Sequence, residues 1–219
     1  MADRVAFELR DDVYRRPLET ATERLGIGAG WKCADVGAGG GDVSVALGKI
    51  VGPTGRVFAI DIDPRRRDQV AEAASKETQV IALTQAAEEL LLPEKVDLAF
   101  CRFLLLQVVD PKLVIERMAS VVRTDGWVVI QEAITSAGRI GESPISALAG
   151  TMRHPDIGIK VPLMVHELGL EMTDCWAEAP VALGDTPEAR YLEAMTDTLV
   201  IEEPIMLPPI VTTIARIRR

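Results

Sequence analysis

The sequence predicts an α/β fold, in which a mostly parallel sheet of about seven strands carries helices on both faces. Between residues 32 and 132, short apolar runs alternate with amphipathic runs of helical period. Such alternation is typical of parallel strands joined by helical crossovers. The apolar runs are almost continuously hydrophobic, as expected for strands that are buried on both faces.

Each element of this region follows from its own residues. Residues 42–51 have apolar side chains at helical spacing and stop at Gly52-Pro53, which is a helix end signal. Pro64 suits the first turn of the next helix. The predicted order is strand 32–36, helix 42–51, strand 56–62, helix 64–77, strand 79–84, strand 96–101, helix 111–123, and a turn with a fifth strand over 124–133.

The flanks of this region are less regular. Residues 133–160 are rich in Gly, Ser and Pro, and we expect a loop over the sheet edge. Residues 162–183 predict a short helix, a glycine and a strand, and residues 208–219 predict a last strand. A C-terminal pair of antiparallel strands would then complete the doubly wound sheet.

Composition excludes several classes of protein. The formal net charge is −9, and an acidic chain repels phosphate backbones, so we expect no nucleic-acid partner. The sequence has neither a membrane-length apolar run nor a secretory signal. Three widely spaced cysteines and two histidines form no disulfide framework and no metal motif. We therefore expect a cytoplasmic protein with no metal and no membrane partner.

A glycine run at residues 37–41 joins the first predicted strand to the first predicted helix. Ordering so many glycines is entropically costly, so we expect a ligand to approach this backbone closely. Rossmann-like sheets bind nucleotides at this turn, where the helix N-terminus offers free N–H groups. Asp61 ends the second strand, 20 residues after Gly41 (61 − 41). An acid at that position binds both ribose hydroxyls, so the sequence predicts a nucleoside site.

The glycine spacing argues against a nicotinamide dinucleotide. A dinucleotide site has the pattern G-x-G-x-x-G, but counting from Gly37 or Gly39 places Asp42 or Ser44 at the third glycine. Asp35 lies two residues before the turn, and its carboxylate would repel a pyrophosphate but attract an ammonium or a sulfonium. The residues thus favour a positively charged nucleoside.

Five segments resemble, in order, the motifs of class I S-adenosylmethionine-dependent methyltransferases. The resemblance is closest to the small-molecule type related to quinone-biosynthesis methyltransferases, and it is strong over about residues 30–132 and weak elsewhere. It implies S-adenosylmethionine as the cofactor and a small-molecule acceptor, such as an aromatic, quinone or polyketide-like compound. The segments are ADVGAGGGD, GRVFAIDIDP, TQAAEEL, VDLAFCRFLLLQVVDP and RTDGWVVIQEA.

The resemblance also implies which residues hold the cofactor. The glycine turn would wrap its methionine half, with Asp35 near the ammonium group. Asp61 would hold the ribose, and Ile62 would pack on the adenine. Residues after the third and fourth strands would meet the adenine edge and the methionine tail. The implied set is Asp35, Gly37, Ala38, Gly39, Gly41, Asp61, Ile62, Ala86, Ala87, Glu88, Cys101 and Arg102.

The chain departs from that family at two positions. Ala86 stands where an acid often meets the adenine amino group. Either Glu88 or backbone groups would replace that contact, or the adenine would be held more loosely. Gln107 stands where a histidine often follows the fourth strand. A histidine base at that position is therefore absent.

Catalytic residues do not follow from the cofactor motifs. In methyl transfer from a sulfonium, the protein mainly aligns the reactants and excludes water. A base is needed only if the nucleophile must lose a proton. The candidates are His154, in a predicted loop, and Glu132, at the end of the fifth strand. Their structural alternatives are a surface histidine and a carboxylate that caps a turn.

We expect one domain over residues 1–219: a helical cap at 1–31, a cofactor-binding core at 32–132, and substrate-side and C-terminal strands at 133–219. Three functions stay open. The first is methyl transfer, and the second is a non-methylating protein on the same fold that uses the cofactor structurally or electrostatically. An NAD(P)-dependent oxidoreductase is third, disfavoured by the glycine spacing. The sequence does not determine the acceptor or the oligomeric state, and a homo-oligomer is compatible with it.

Overall fold

The computed structural model describes residues 9–10, 12–77, 79–145, 152–196 and 202–218. The helices are α1 Arg15–Leu25, α2 Asp42–Val51, α3 Pro64–Ala73, α4 Pro111–Val121, α5 Val161–Glu167 and α6 Pro187–Thr196. The strands are β1 Lys32–Val36, β2 Arg56–Asp61, β3 Val80–Thr84, β4 Val96–Arg102, β5 Val122–Ala133, β6 Arg139–Ile140, β7 Ser143–Pro144, β8 Glu171–Glu178, β9 Val181–Ala182, β10 Ile205–Met206 and β11 Ile210–Arg216.

The main sheet has seven strands in the order β3-β2-β1-β4-β5-β11-β8. The pairs among β1 to β5 are parallel, whereas β11 is antiparallel to both β5 and β8. The sequence order reverses between β1 and β4, which is the point where sheets of this kind bind ligands. The predicted Rossmann-like sheet with an antiparallel C-terminal pair is confirmed.

Helices cover both faces of the main sheet. On one face, Leu18 of α1 and Leu47 of α2 pack with Phe100 and Val129 of the sheet. On the other face, α4 and α5 pack on alternate residues of the same strands, in a separate buried cluster. These helices thus leave the carboxyl edge of the parallel strands to loops, to the N-terminal segment and to α6, whose Tyr191 and Met195 line a cavity there.

Two helices begin with the same local signal. Asp63 caps α3 by accepting a hydrogen bond from Arg65 N at 3.0 Å, and Asp110 caps α4 by accepting one from Leu113 N at 3.0 Å. In both cases a proline follows the cap and occupies the first helical position, where its missing N–H costs no hydrogen bond. These signals are local, and they position both helices beside the sheet edge.

The structure differs from the sequence prediction at two helix ends and in one loop. Helix α3, predicted over residues 64–77, ends at Ala73. Helix α4 ends at Val121, two residues early, because Val122 already belongs to β5 and pairs with Val96. The loop predicted over residues 133–160 contains β6 and β7, which join β9 and β10 in a four-stranded antiparallel sheet. Residues 146–151 of that prediction lie outside the described residues.

Within the described ranges, no helix is both long enough and apolar enough to cross a membrane.

Candidate functional site

The glycine turn between β1 and α2 has a backbone that side chains rarely tolerate. Gly37, Gly39 and Gly41 have φ values of 80°, 53° and 89°, in the left-handed region that favours glycine. The N–H groups of Gly37 and Ala38 donate to Ile60 O at 2.8 and 2.9 Å. The end of β2 therefore fixes this turn at the sheet edge.

Asp61 joins the glycine turn to the end of β2. Its Oδ2 accepts a hydrogen bond from Gly39 N at 2.9 Å, and its Oδ1 accepts one from Asp63 N at 3.0 Å. Each carboxylate oxygen has a second lone pair, so Asp61 can hold the turn and still accept from a ligand hydroxyl. The next residue, Ile62, is 69% exposed, which is unusual for a large apolar side chain at a strand end.

Asp35 lies beneath the glycine turn and is fully buried at 1% exposure. Ser44 Oγ donates to its Oδ2 at 2.5 Å. Burial raises the pKa of Asp35 to about 6, against the opposing effects of the Ser44 hydrogen bond and the Arg102 charge. A carboxyl with this pKa is easily ionised by a nearby cation.

A buried ion cluster ties the N-terminal segment to the site. Asp42, the first residue of α2, pairs with Arg10 at 3.0 Å and with the guanidinium of Arg102 at the end of β4. The Arg102 side chain is only 2% exposed, and its Nη1 also donates to Tyr14 O at 3.1 Å. Arg10 and Tyr14 are thereby held over the carboxyl edge of the sheet.

A cavity of about 460 Å³ lies at this edge. The glycine turn and Asp61 form one wall, and aromatic rings form another. Tyr14 packs edge-on against Phe103, with ring centroids 4.9 Å apart, and against Tyr191 at 6.0 Å. The remaining wall is largely apolar. It includes Leu104, Leu106, Ala133, Met152, Met195 and Pro208.

The residues predicted to hold a cofactor fall into three groups. Gly37, Gly39, Asp61 and Arg102 line the cavity. The second group is buried beneath the turn and the strand ends, and the third lies beyond the ends of β2 and β3 without lining the cavity. The second group is Asp35, Ala38, Gly41 and Cys101, and the third is Ile62, Ala86, Ala87 and Glu88.

Neither candidate base lies on the cavity wall. Glu132 is fully buried, and its Oε1 accepts hydrogen bonds from Leu104 N and Leu105 N. Burial raises its pKa to about 8, against the lowering effect of these backbone hydrogen bonds. His154 donates its backbone N–H to Leu106 O at 3.1 Å. In the part of the chain that the structure describes, no group of three or more His, Cys, Asp or Glu side chains could hold a metal ion.

The sequence did not predict the aromatic wall. Tyr14 precedes α1, Phe103 follows β4 and Tyr191 lies in α6, so no local pattern connects them. Phe103 also has a φ of 56°, which its residue type does not predict. Arg10 is a further cavity residue whose position depends on its distant partner Asp42.

Residues 34–130 match the model of a family described as a methyltransferase domain. The curated proteins include no match to this chain. An S-adenosylmethionine-dependent methyltransferase from Aquifex aeolicus is 18% identical, with 95% of this chain and 92% of that chain covered and a TM-score of 0.66.

Two further solved structures have the same fold. A putative methyltransferase from Bacillus halodurans is 14% identical, with 92% of this chain and 99% of that chain covered and a TM-score of 0.69. The [4+2]-cyclase SpnF is 16% identical, with 93% and 81% covered and a TM-score of 0.67. Residues 34–130 are thus similar to a methyltransferase domain, and the chain has the fold of solved S-adenosylmethionine-dependent methyltransferases.

Proposed function

We propose that this protein transfers a methyl group from S-adenosylmethionine to a small-molecule acceptor in the cavity. The observation that carries the proposal is that one cavity has the glycine turn and Asp61 on one wall and an aromatic, apolar surface on another. When bound, the cofactor supplies an electrophilic methyl group. The match of residues 34–130 to a methyltransferase domain supports this cofactor.

The residues present fit this cofactor chemically. Glycines with left-handed backbone let a ligand approach the turn. The buried carboxyl of Asp35 would ionise beside the ammonium group and attract it. Asp61 has lone pairs for the ribose hydroxyls, and the exposed side chain of Ile62 would pack on the adenine. Ala86, Ala87 and Glu88, beyond β3, would meet the adenine edge.

The charges on the cavity wall favour an acceptor that ionises readily. Three arginines, Arg10, Arg66 and Arg102, line the cavity together with Asp61. Asp42 pairs with two of them, so three guanidinium groups face the two carboxylates of Asp42 and Asp61. Asp61 is assigned to the ribose hydroxyls, and no histidine lines the cavity among the described residues. Nearby cations lower the pKa of an acidic group. We therefore propose a phenol or enol that reacts as its anion, without a protein base.

Calorimetry with S-adenosylhomocysteine and NADH tests the cofactor. We expect binding of S-adenosylhomocysteine and no binding of NADH. Asp61→Ala should weaken the binding of S-adenosylhomocysteine roughly tenfold or more, because it removes charge-assisted hydrogen bonds to the ribose. Asp63→Ala is the matched control, since the Asp63 side chain caps α3 and does not line the cavity. Tight NADH binding without S-adenosylhomocysteine binding would contradict the proposal.

An acceptor panel tests the substrate class. Production of S-adenosylhomocysteine should be measured over phenols of graded acidity, enols and aliphatic amines. We expect turnover with acidic phenols or enols, and rates that fall as the phenol pKa rises above the assay pH. Equal or better turnover of aliphatic amines would contradict an anionic acceptor.

A non-methylating function is the second candidate, and it is favoured by the lack of an evident general base in the part of the cavity wall that the structure describes. Among the described side chains on that wall, the carboxylate of Asp61 is assigned to the ribose and no histidine is present, and a fold neighbour is a [4+2]-cyclase. A protein that binds S-adenosylhomocysteine but methylates no member of the panel would support this candidate.

A further inference from the structure

Glu132 is a buried carboxyl that the proposed methyl transfer does not use. Its Oε1 accepts hydrogen bonds from Leu104 N at 2.8 Å and Leu105 N at 2.7 Å. Its Oε2 is buried without a hydrogen-bond partner among the residues that the structure describes. Burying an ionisable carboxyl with one unpaired oxygen costs free energy. Its presence here indicates that its two hydrogen bonds to the backbone have a role.

The backbone that Glu132 holds is strained. Phe103 has a φ of 56°, and a bulky side chain rarely adopts this left-handed conformation. Such strain persists only where the surrounding contacts over-determine the backbone. Phe103 N donates to Gln131 O at 3.0 Å, and the next two N–H groups donate to Glu132. Consecutive residues of β5 therefore fix the turn that follows β4.

This turn contributes to both walls of the cavity. Leu104 covers the glycine turn so closely that a Cβ at Gly37 would lie 2.8 Å from Leu104 Cδ1. The ring of Phe103 packs 4.9 Å from that of Tyr14 and 5.9 Å from the guanidinium carbon of Arg10. One carboxyl thus connects the glycine wall with the aromatic wall without lining the cavity itself.

We propose that Glu132 is a positioning residue. Through the N–H groups of Leu104 and Leu105, it holds Leu104 against the glycine turn and Phe103 in the aromatic wall, and so sets the affinity for cofactor and acceptor together. This inference rests on the proposed function for the identity of the two ligands. The role of Glu132 in holding the turn does not depend on that identity.

Three variants separate positioning from general stability. Glu132→Ala removes the acceptor oxygen, whereas Glu132→Gln keeps one. Val129→Ala is the control, because Val129 is equally buried in β5 and packs away from the cavity. Calorimetry should show S-adenosylhomocysteine affinity at least tenfold weaker in Glu132→Ala and within threefold of wild type in the other two. Wild-type affinity in Glu132→Ala, or an equal loss in Val129→Ala, would overturn the proposal.

Amide exchange tests the same contact if Glu132→Ala does not fold. In the wild-type protein without ligand, we expect the amides of Leu104 and Leu105 to exchange slowly, because both donate to a buried acceptor. Exchange at the rate of an unprotected peptide would overturn the proposal. Failure of the wild-type protein to bind S-adenosylhomocysteine would instead overturn the proposed function, and the exchange rates would still decide whether Glu132 holds the turn.

Discussion

Gly37 shows how one missing side chain shapes the site. Gly37→Ala places a Cβ at a φ of 80° and 2.8 Å from Leu104 Cδ1. We expect it to lower the free energy of unfolding by about 2–5 kcal/mol, since left-handed backbone costs about 1–2 kcal/mol and overpacking about 1–3 kcal/mol. It should also weaken the binding of S-adenosylhomocysteine. Urea unfolding and calorimetry would measure both effects.

Gly26→Ala is the control for that substitution. Gly26 has a φ of 62°, but a Cβ there would meet nothing within 4 Å. It should therefore show only the backbone cost of about 1–2 kcal/mol and unchanged ligand affinity. Equal losses of stability in both variants would show that the contact with Leu104 has no energetic effect.

Asp42 is the carboxylate that pairs with both Arg10 and Arg102 in the buried ion cluster. Asp42→Ala would leave the guanidinium of Arg102, at 2% exposure, without its carboxylate. Removing one partner of a buried pair costs about 3–5 kcal/mol, and we expect a loss of this order in urea unfolding. Asp185→Ala is the control, since its pair with Arg190 is exposed, and it should leave the free energy of unfolding nearly unchanged. Similar small effects of both substitutions would contradict this account of the cluster.

At the scale of elements, local signals specify the helices next to the site. Asp110 accepts from Leu113 N at the start of α4, and removal of such a cap costs about 1 kcal/mol. We expect Asp110→Ala to lose about this amount in thermal or urea unfolding and Asp110→Ser to recover most of it. An unchanged stability in Asp110→Ala would show that the cap is replaced by water.

Local signals do not specify the four-stranded antiparallel sheet, in contrast to the helices. Strands β6, β7, β9 and β10 have two residues each, too few to show a period of two. They form because antiparallel pairing joins segments far apart in the sequence, such as Ile205 with Ile140. For β6 and β7, residue types alone therefore predicted a loop.

For the whole molecule, two buried carboxyls predict how stability depends on pH. Burial raises the pKa of Glu132 to about 8 and that of Asp35 to about 6. The folded state therefore holds protons that the unfolded state has released above about pH 4–5. The free energy of unfolding should fall from pH 5 to pH 8, by an amount on the order of a few kcal/mol.

Urea unfolding of the ligand-free protein across this pH range tests the prediction. Glu132→Gln cannot release a proton, so its profile should be flatter than that of the wild-type protein, above all between pH 6 and 8. A wild-type profile that is flat, or that rises with pH, would contradict the burial of these carboxyls in the folded protein.

The sequence by itself determined the main sheet, the glycine turn and the acid at the end of β2. These features depend on local chemistry: apolar runs of the right length, positive φ at glycines, and a carboxylate at a fixed spacing from the turn. Gly37, Gly39 and Asp61 lie together on one cavity wall because the order of parallel strands brings their carboxyl ends to one edge.

Only the tertiary structure decided the second wall and the place of Glu132. Tyr14, Phe103 and Tyr191 meet because α1, β4 and α6 converge at the sheet edge. Hydrophobic periodicity in the sequence does not predict such contacts between distant elements. Glu132 is in the β5 strand that the sequence predicted, but its side chain turns to buried backbone N–H groups rather than to the cavity. The orientation of a polar side chain depends on which partners the packed fold brings within reach, and these come from distant segments.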